Sequence, residues 1–477
     1  MANCQSPAVH ASDVERALAV NAGLEGTDLH RGMMLEGEQN TPFRISPEPF
    51  WIDEALYRTI ESLGPHLLAF YEAANRLYLR SVRGSAPDWV RDYLERGKSE
   101  TVLDYQKMRR FRTDLPVIIR PDIIPTDDGF VVSELDSVPG GFGLLAALSR
   151  QYAALGYELV GGADGIVHGF WDAVASLAEG MPDPLVAVAV SDESDAYRGE
   201  MAWLTGRLGE MGRRAVTVHP RQLRFQEDGL YVEHDGRPQK VDVLYRFFEL
   251  FDLKNIPKID LILYAIRKET VRATPPLKSH LEEKLLMALL HHGALKPFWL
   301  EQLGEERYEL FKRVFPMSWV MDPRPLPPHA EIPGLSVGGV PVSDWRQLKT
   351  ATQRERELVI KPSGYSPQAW GSRGVKIGHD LPQDEWAEGV EQALEAFETT
   401  PHVLQRFHKG RKFTVRYYDF EEKSVKSMPA RVRLCPYYFV VGGEVRLGGI
   451  LATAVSLDKK VIHGMSEAVM APVAVRR

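Results

Sequence analysis

Four charged residues bracket one turn in RPDIIPTDDGFVVSELDS, with Arg120 and Asp122 before it and Glu134 and Asp136 after it. Residues two apart on a strand project to the same face, so Glu134 and Asp136 present their carboxylates side by side. Pairing of the two runs about Thr126-Asp127-Asp128-Gly129 as a hairpin brings Asp122 to join them. Crowded carboxylates repel one another unless something positive lies between them, and hard oxygen ligands of this kind suit Mg²⁺ held through substrate phosphates. Arg120 would set a second positive group against a phosphoryl oxygen. An exposed hairpin with a merely acidic outer face has the same spacing, so the neighbouring motifs decide its weight.

The next motif is LVIKPSGYSPQAWGSRGVKIG, where Lys361 ends an apolar strand and a loop with Gly364, Gly371 and Gly374 returns to another strand. Glycines let backbone amides approach a phosphate, and a strand-borne ammonium holds its charge in a defined place. The pattern lacks the Gly-Lys-Ser/Thr of a Walker A loop, and an ordinary hairpin loop has the same composition. In HVLQRFHKG an apolar strand runs into Gln405, Arg406 and Phe407, an edge able to pair an adenine through its backbone, although core strands read the same way. Arg431 and Arg433 lie two apart ahead of a Gly442-Gly443 turn and could clamp an anionic substrate from one face; solvated strand arginines are the plainer alternative. His291 and His292 are adjacent and do not form an i, i+4 metal pair, and no Gly-x-Ser-x-Gly elbow supports a serine hydrolase.

These motifs need elements to carry them. From Glu54 to about Leu79 apolar residues recur every three or four positions, predicting an amphipathic helix. PLVAVAV, the helix-like stretch Tyr197 to Met211, RRAVTVHP and VDVLYRF alternate as a small α/β unit with parallel pairing. LEEKLLMALLHH and EERYELFKRVF predict helices, and the Pro- and Gly-rich stretch from Asp322 to Val342 predicts an irregular connection. The last third alternates strands with one helix near Trp386 to Phe397, as expected for an α+β unit with a mainly antiparallel sheet.

At 477 residues the chain has room for several cores. Its 44% apolar and 26% charged residues fit a globular protein. A net charge of -7 and pI near 6.1 argue against a broad cationic surface for nucleic acid, so no nucleic-acid partner is expected. Only Cys4 and Cys435 occur, which leaves no disulfide framework and points to a reducing, cytoplasmic setting. No apolar run reaches the ~18 residues of a membrane span, and the N-terminus has no secretory pattern, so no membrane partner is expected.

Taken in order, these motifs resemble the circularly permuted ATP-grasp ligases related to glutathionylspermidine synthetase, in which the metal-binding half precedes the nucleotide-binding half. RPD, a turn and ELD resemble that family's Arg-x-Asp and Glu-x-Asn, and the likeness extends from about Leu115 to the C-terminus. It implies Asp122, Glu134 and Asp136 as Mg²⁺ ligands and Arg120 as the group stabilising the transferring phosphoryl. It implies Lys284 in LKSHLEEKLLMALL as the first phosphate lysine, with Lys296 as a rival, and Lys361 as the second. SGYSPQAWGSRG, with Gly371, Ser372 and Gly374, becomes the loop over the phosphates, and Gln405, Arg406 and Phe407 the adenine-side linker.

The implied fold is a multidomain α+β and α/β chain: an N-terminal helical region (1–114), the metal-binding part of the ATP-grasp core (115–180), a preATP-grasp-like α/β domain (181–265), a nucleotide-binding lobe (266–430) and C-terminal strands completing the core (431–477). The implied activity joins a carboxylate to an amine with ATP and Mg²⁺, on small-molecule substrates such as peptides or polyamines. A nucleotide-binding regulatory protein or a phosphotransferase on the same scaffold is the alternative. Two departures bear on substrate: the family's Asn is Asp136 here, and the chain has neither room for an amidase domain before residue 115 nor a full glutathione-binding set.

Overall fold

The computed structural model describes residues 11–24, 27, 29, 43–136, 138–459, 461–462 and 467–476, with the backbone only of Trp370 and Ser372. The helix predicted after residue 54 spans Glu54–Val82. Asp53 caps it by accepting from the Leu56 amide at 2.8 Å, satisfying one donor that the first turn leaves free. Its buried stripe, including Ile60, Leu63, Leu67, Phe70, Ala74 and Leu77, follows the helical period. Phe70 stacks on Trp299 of the helix Lys296–Val314, with ring centroids 5.6 Å apart. Gly64 lets the helix lie against the sheet, since a β-carbon there would sit 2.6 Å from the Tyr438 ring.

That sheet has seven strands. Its main path runs Phe50–Asp53, Val469–Arg476, Glu444–Ser456, Ser424–Val441, Ile118–Thr126 and Gly129–Asp136, and Phe413–Asp419 pairs with the first half of Ser424–Val441. Alternation sorts its residues: Ile119, Ile123, Leu434 and Tyr438 join the core under Glu54–Val82, whereas Ile118, Cys435, Tyr437 and Phe439 join a second core with the helices Phe142–Ala154 and Gly165–Ala175. Gly442 and Gly443, at φ +59° and +86°, supply the left-handed residues of the tight turn between the two longest strands.

The small α/β unit forms a four-stranded, all-parallel sheet in the order Arg272–Thr274, Val243–Phe247, Val186–Val190, Ala215–Val218. A further antiparallel sheet orders Ser318–Val320, His402–Arg406, Leu358–Pro362 and Lys376–Ile377. The stretch from Asp322 to Val342 holds only the two-residue strands Ser336–Val337 and Val340–Pro341.

Two expectations about organisation need correcting. The first 114 residues are not purely helical, because Phe50–Asp53 is an edge strand of the seven-stranded sheet, paired in parallel with the end of the chain. The boundary placed between residues 430 and 431 falls inside the continuous strand Ser424–Val441. Among the described residues no helix is long and apolar enough to cross a membrane.

Candidate functional site

The hairpin forms about its predicted turn, with a bulge that resets its register at the charged end. Arg120 pairs with Asp136 and Asp122 with Glu134 across the two strands, and the register shifts after Asp122, where Ser133 is the extra residue. A bulge frees one residue from the ladder. Here it releases the Ser133 carbonyl to accept the Lys361 ammonium at 2.9 Å, while the Ser133 hydroxyl donates to the Asp122 carbonyl at 3.2 Å. Lys284, just ahead of the helix Leu285–His291, meets Glu134 Oε1 at 2.6 Å. Lys284 and Lys361, 77 positions apart in the sequence, thus converge on one strand end. Lys284, Glu134, Lys361, Met287, Val403 and Gln405 are among the residues lining the pocket there.

The carboxylates are not equivalent. Asp122, 5% exposed, has both oxygens taken. Oδ1 lies 3.1 Å from Arg120 Nε in an ion pair and accepts from the Cys435 thiol at 3.4 Å, and Oδ2 accepts from Arg433 at 3.0 Å. Burial would raise its pKa, but the two guanidiniums outweigh that and hold it below the ordinary carboxylate range. Asp136 meets Arg120 Nη2 at 2.6 Å, yet burial wins and raises its pKa, helped by Glu134 and Asp122. Half-buried Lys361 is pushed down to about 8 by desolvation, with Lys284 adding repulsion. Lys284 is desolvated too, but its contact with Glu134 lifts it above the usual lysine value.

Among the described residues no three His, Cys, Asp or Glu side chains form a ready metal cage. Mg²⁺ needs none, because it is commonly held by one or two carboxylates together with phosphate oxygens and water. Glu134 and Asp136 fit that requirement: they share a face, and each is balanced by a single cation that an incoming metal could replace. Asp122 fits less well, since ligation would break contacts with three donors.

The loop after the hairpin is fixed from several sides. Arg120 and the Tyr437 hydroxyl both donate to the Gly140 carbonyl, at 3.1 and 2.7 Å. Glu200, from the helix Arg198–Glu210, accepts from the amides of Gly141 at 2.7 Å and Leu144 at 3.0 Å, so a carboxylate of the α/β unit caps the helix Phe142–Ala154. Burial pushes Glu200 up to about 7 against the pull of those amides. Near Asp136, Tyr71 and Tyr245 are fully buried with hydroxyls that have no partner among the described residues. Glu249 is near Asp136 too; burial, then Glu282 and Asp136, push its carboxyl up to about 8. Arg246 neutralises Glu282 and donates to the carbonyls of Phe248, Pro275 and Pro276.

Of the remaining residues singled out from sequence, Gln405 reaches the pocket, whereas Arg406 donates to the Gly334 carbonyl at 3.2 Å and the Phe407 ring packs on His379. Arg433 joins the carboxylates; Arg431 donates instead to the Leu457 carbonyl at 2.9 Å. Lys296 is exposed at the start of its helix, which leaves Lys284 as the lysine at the hairpin. The segment with Gly371 and Gly374 is not an open loop but holds a 3₁₀ turn over Pro367–Ser372, closed by the Gly374 amide on the Gln368 carbonyl at 2.8 Å. The Ser372 side chain and Cys4 lie outside what is described. Sequence reading missed the Ser133 carbonyl, Cys435, Glu200, Glu249 and both tyrosines; of these only Cys435, two residues after Arg433, carried a positional signal.

No family model matches the chain, and no curated protein matches it. Among solved structures, a candidate gamma-glutamylcysteine synthetase from Methylobacillus flagellatus KT aligns over 82% of both chains at 11% identity and a TM-score of 0.39. The fold itself is shared with a glutathione synthetase-like effector from Globodera pallida in its apo form, across 98% of this chain and 99% of that one, at a TM-score of 0.58 and 12% identity.

Proposed function

We propose that the chain is an ATP- and Mg²⁺-dependent carboxylate–amine ligase on a circularly permuted ATP-grasp scaffold. The observation that carries this reading is the convergence of Lys284 and Lys361 on the Glu134 end of the hairpin. A fold shared end to end with a glutathione synthetase-like protein supports it. Two ammonium groups beside two exchangeable carboxylates suit a triphosphate and its metal. When bound, Mg²⁺ would neutralise phosphate charge at Glu134 and Asp136.

In this reading a substrate carboxylate oxygen attacks the γ-phosphorus, the bond to the β–γ bridging oxygen breaks, and ADP leaves. The amine nitrogen then attacks the acyl carbon, phosphate departs with the former carboxylate oxygen, and the nitrogen gives up a proton. Lys284 and Lys361 hold the phosphates. Arg120 and Arg433, fixed in place by Asp122, offer positive charge to the anionic acid and to the transferring phosphoryl group. Glu249, a partly exposed carboxyl near Asp136, would receive the cationic end of the amine.

The test is a screen of amino acids, short peptides and polyamines for Mg-ATP-dependent ADP release, with mass analysis of products. A coupled product containing a new amide is the expected result. ADP release without coupling, and failure of hydroxylamine to trap an acylphosphate, would instead favour a phosphotransferase or regulatory role.

A further inference from the structure

The N-terminal region reaches the lysine site through one loop. Helices Asp88–Glu95 and Glu100–Lys107 are joined by Arg96, Gly97, Lys98 and Ser99, and each of these touches the lobe that carries the lysines. Arg96 pairs with Glu398 and lies 4.6 Å over the Phe397 ring. Gly97, at φ +72°, sits so close to Thr399 that a β-carbon would lie 1.9 Å from its carbonyl oxygen. Ser99 Oγ accepts from the Tyr365 hydroxyl at 3.2 Å. Lys98 Nζ meets Glu283 Oε1 at 2.6 Å, with both side chains fully buried.

Glu283 is the centre of this contact. Ser363 Oγ donates to its Oε1 at 2.6 Å and the Gly364 amide to its Oε2 at 3.3 Å. Glu283 immediately precedes Lys284, and Ser363 and Gly364 follow Lys361. One carboxylate therefore ties together the two segments whose lysines face the hairpin. A carboxylate taken wholly out of water is stable as an anion only when a cation compensates it, and Lys98 is the cation present. Ionised, it holds the Ser363 and Gly364 donors more strongly than a neutral acid would.

We infer that Lys98 is a positioning residue of the nucleotide site, setting the separation of Lys284 and Lys361 through Glu283. The N-terminal region is thereby part of the phosphate-binding machinery. This role rests on the reading that the two lysines hold ATP; the tie between their segments does not.

The experiment uses the full chain with Lys98→Met, and Ser363→Ala as a milder variant that keeps the buried ion pair. Amide hydrogen exchange is followed without nucleotide, and Mg-ATP affinity is followed by calorimetry. Exchange across 361–376 should quicken while the strand Val186–Val190 stays protected, and the Kd for Mg-ATP should rise roughly tenfold or more in Lys98→Met, less in Ser363→Ala. Lys98→Arg should recover most of the affinity. A folded Lys98→Met with a lowered melting temperature but wild-type exchange and wild-type Kd would overturn the inference. Should Lys98→Met not fold, the same pair of unchanged values in Ser363→Ala would overturn it. Absence of Mg-ATP binding by the wild-type chain would instead remove the ligase reading, leaving exchange across 361–376 to decide the positioning role.

Discussion

The two sheets that meet at the site are built to opposite rules. At the hairpin end of the seven-stranded sheet Asp122 is already satisfied, held by Arg120, Arg433 and Cys435. The sheet carrying Leu358–Pro362 offers Lys361, whose ammonium is held by one backbone carbonyl and desolvated enough to bring it down to about 8. One side is preorganised and the other waits for a ligand. Electrostatic groups fixed before reaction stabilise developing charge without reorganisation, while a loosely held ammonium gains most from an arriving phosphate.

The sharpest way to break this contrast is Glu134→Gln. It keeps size and hydrogen bonding but removes the charge facing Lys284, and ADP formation should fall by roughly 10³-fold with little change in melting temperature. Wild-type turnover in this variant would remove Glu134 from the site. Asp122→Ala attacks the preorganised side instead. It leaves Arg120 and Arg433 buried without their shared carboxylate and should cost about 3–5 kcal/mol of stability in denaturant titrations. If Asp122 acted chiefly as a metal ligand, activity would collapse with stability unchanged.

Lys361→Met probes the waiting side and should raise the KM for Mg-ATP by roughly tenfold to a hundredfold. In the wild-type chain the Lys361 ammonium is charged below about pH 8, so Mg-ATP affinity should fall as pH rises through that value. Lys361→Arg, charged throughout, should flatten the profile. The smallest effect belongs to Arg406→Ala. Arg406 is exposed and bonds the Gly334 carbonyl, so Mg-ATP affinity should change less than about twofold.

The hairpin was legible because strand alternation and turn chemistry are local, but its register was not: counting from the turn sets Asp122 opposite Ser133, and only the bulge at Ser133 brings it opposite Glu134 and Arg120 opposite Asp136. The parallel VAVAV strand and the long amphipathic helix were readable for the same reason. Phe50–Asp53 escaped because four residues carry little periodicity and its partner lies at the other end of the chain. Lys98 with Glu283, Glu200 with Gly141, and Cys435 with Asp122 depend on contacts between distant segments, which no local pattern encodes. Arg406 and Phe407 show the converse: their position beside Gln405 looked functional, but the end of the strand turns them to other neighbours.

The most direct test of the ligase account follows oxygen. With a carboxylate substrate from the activity screen labelled with ¹⁸O in both oxygens, the released phosphate should carry one ¹⁸O for each amide formed. Unlabelled phosphate, with both labelled oxygens still on the acid, would contradict the acylphosphate route and the role given to the lysines and the hairpin.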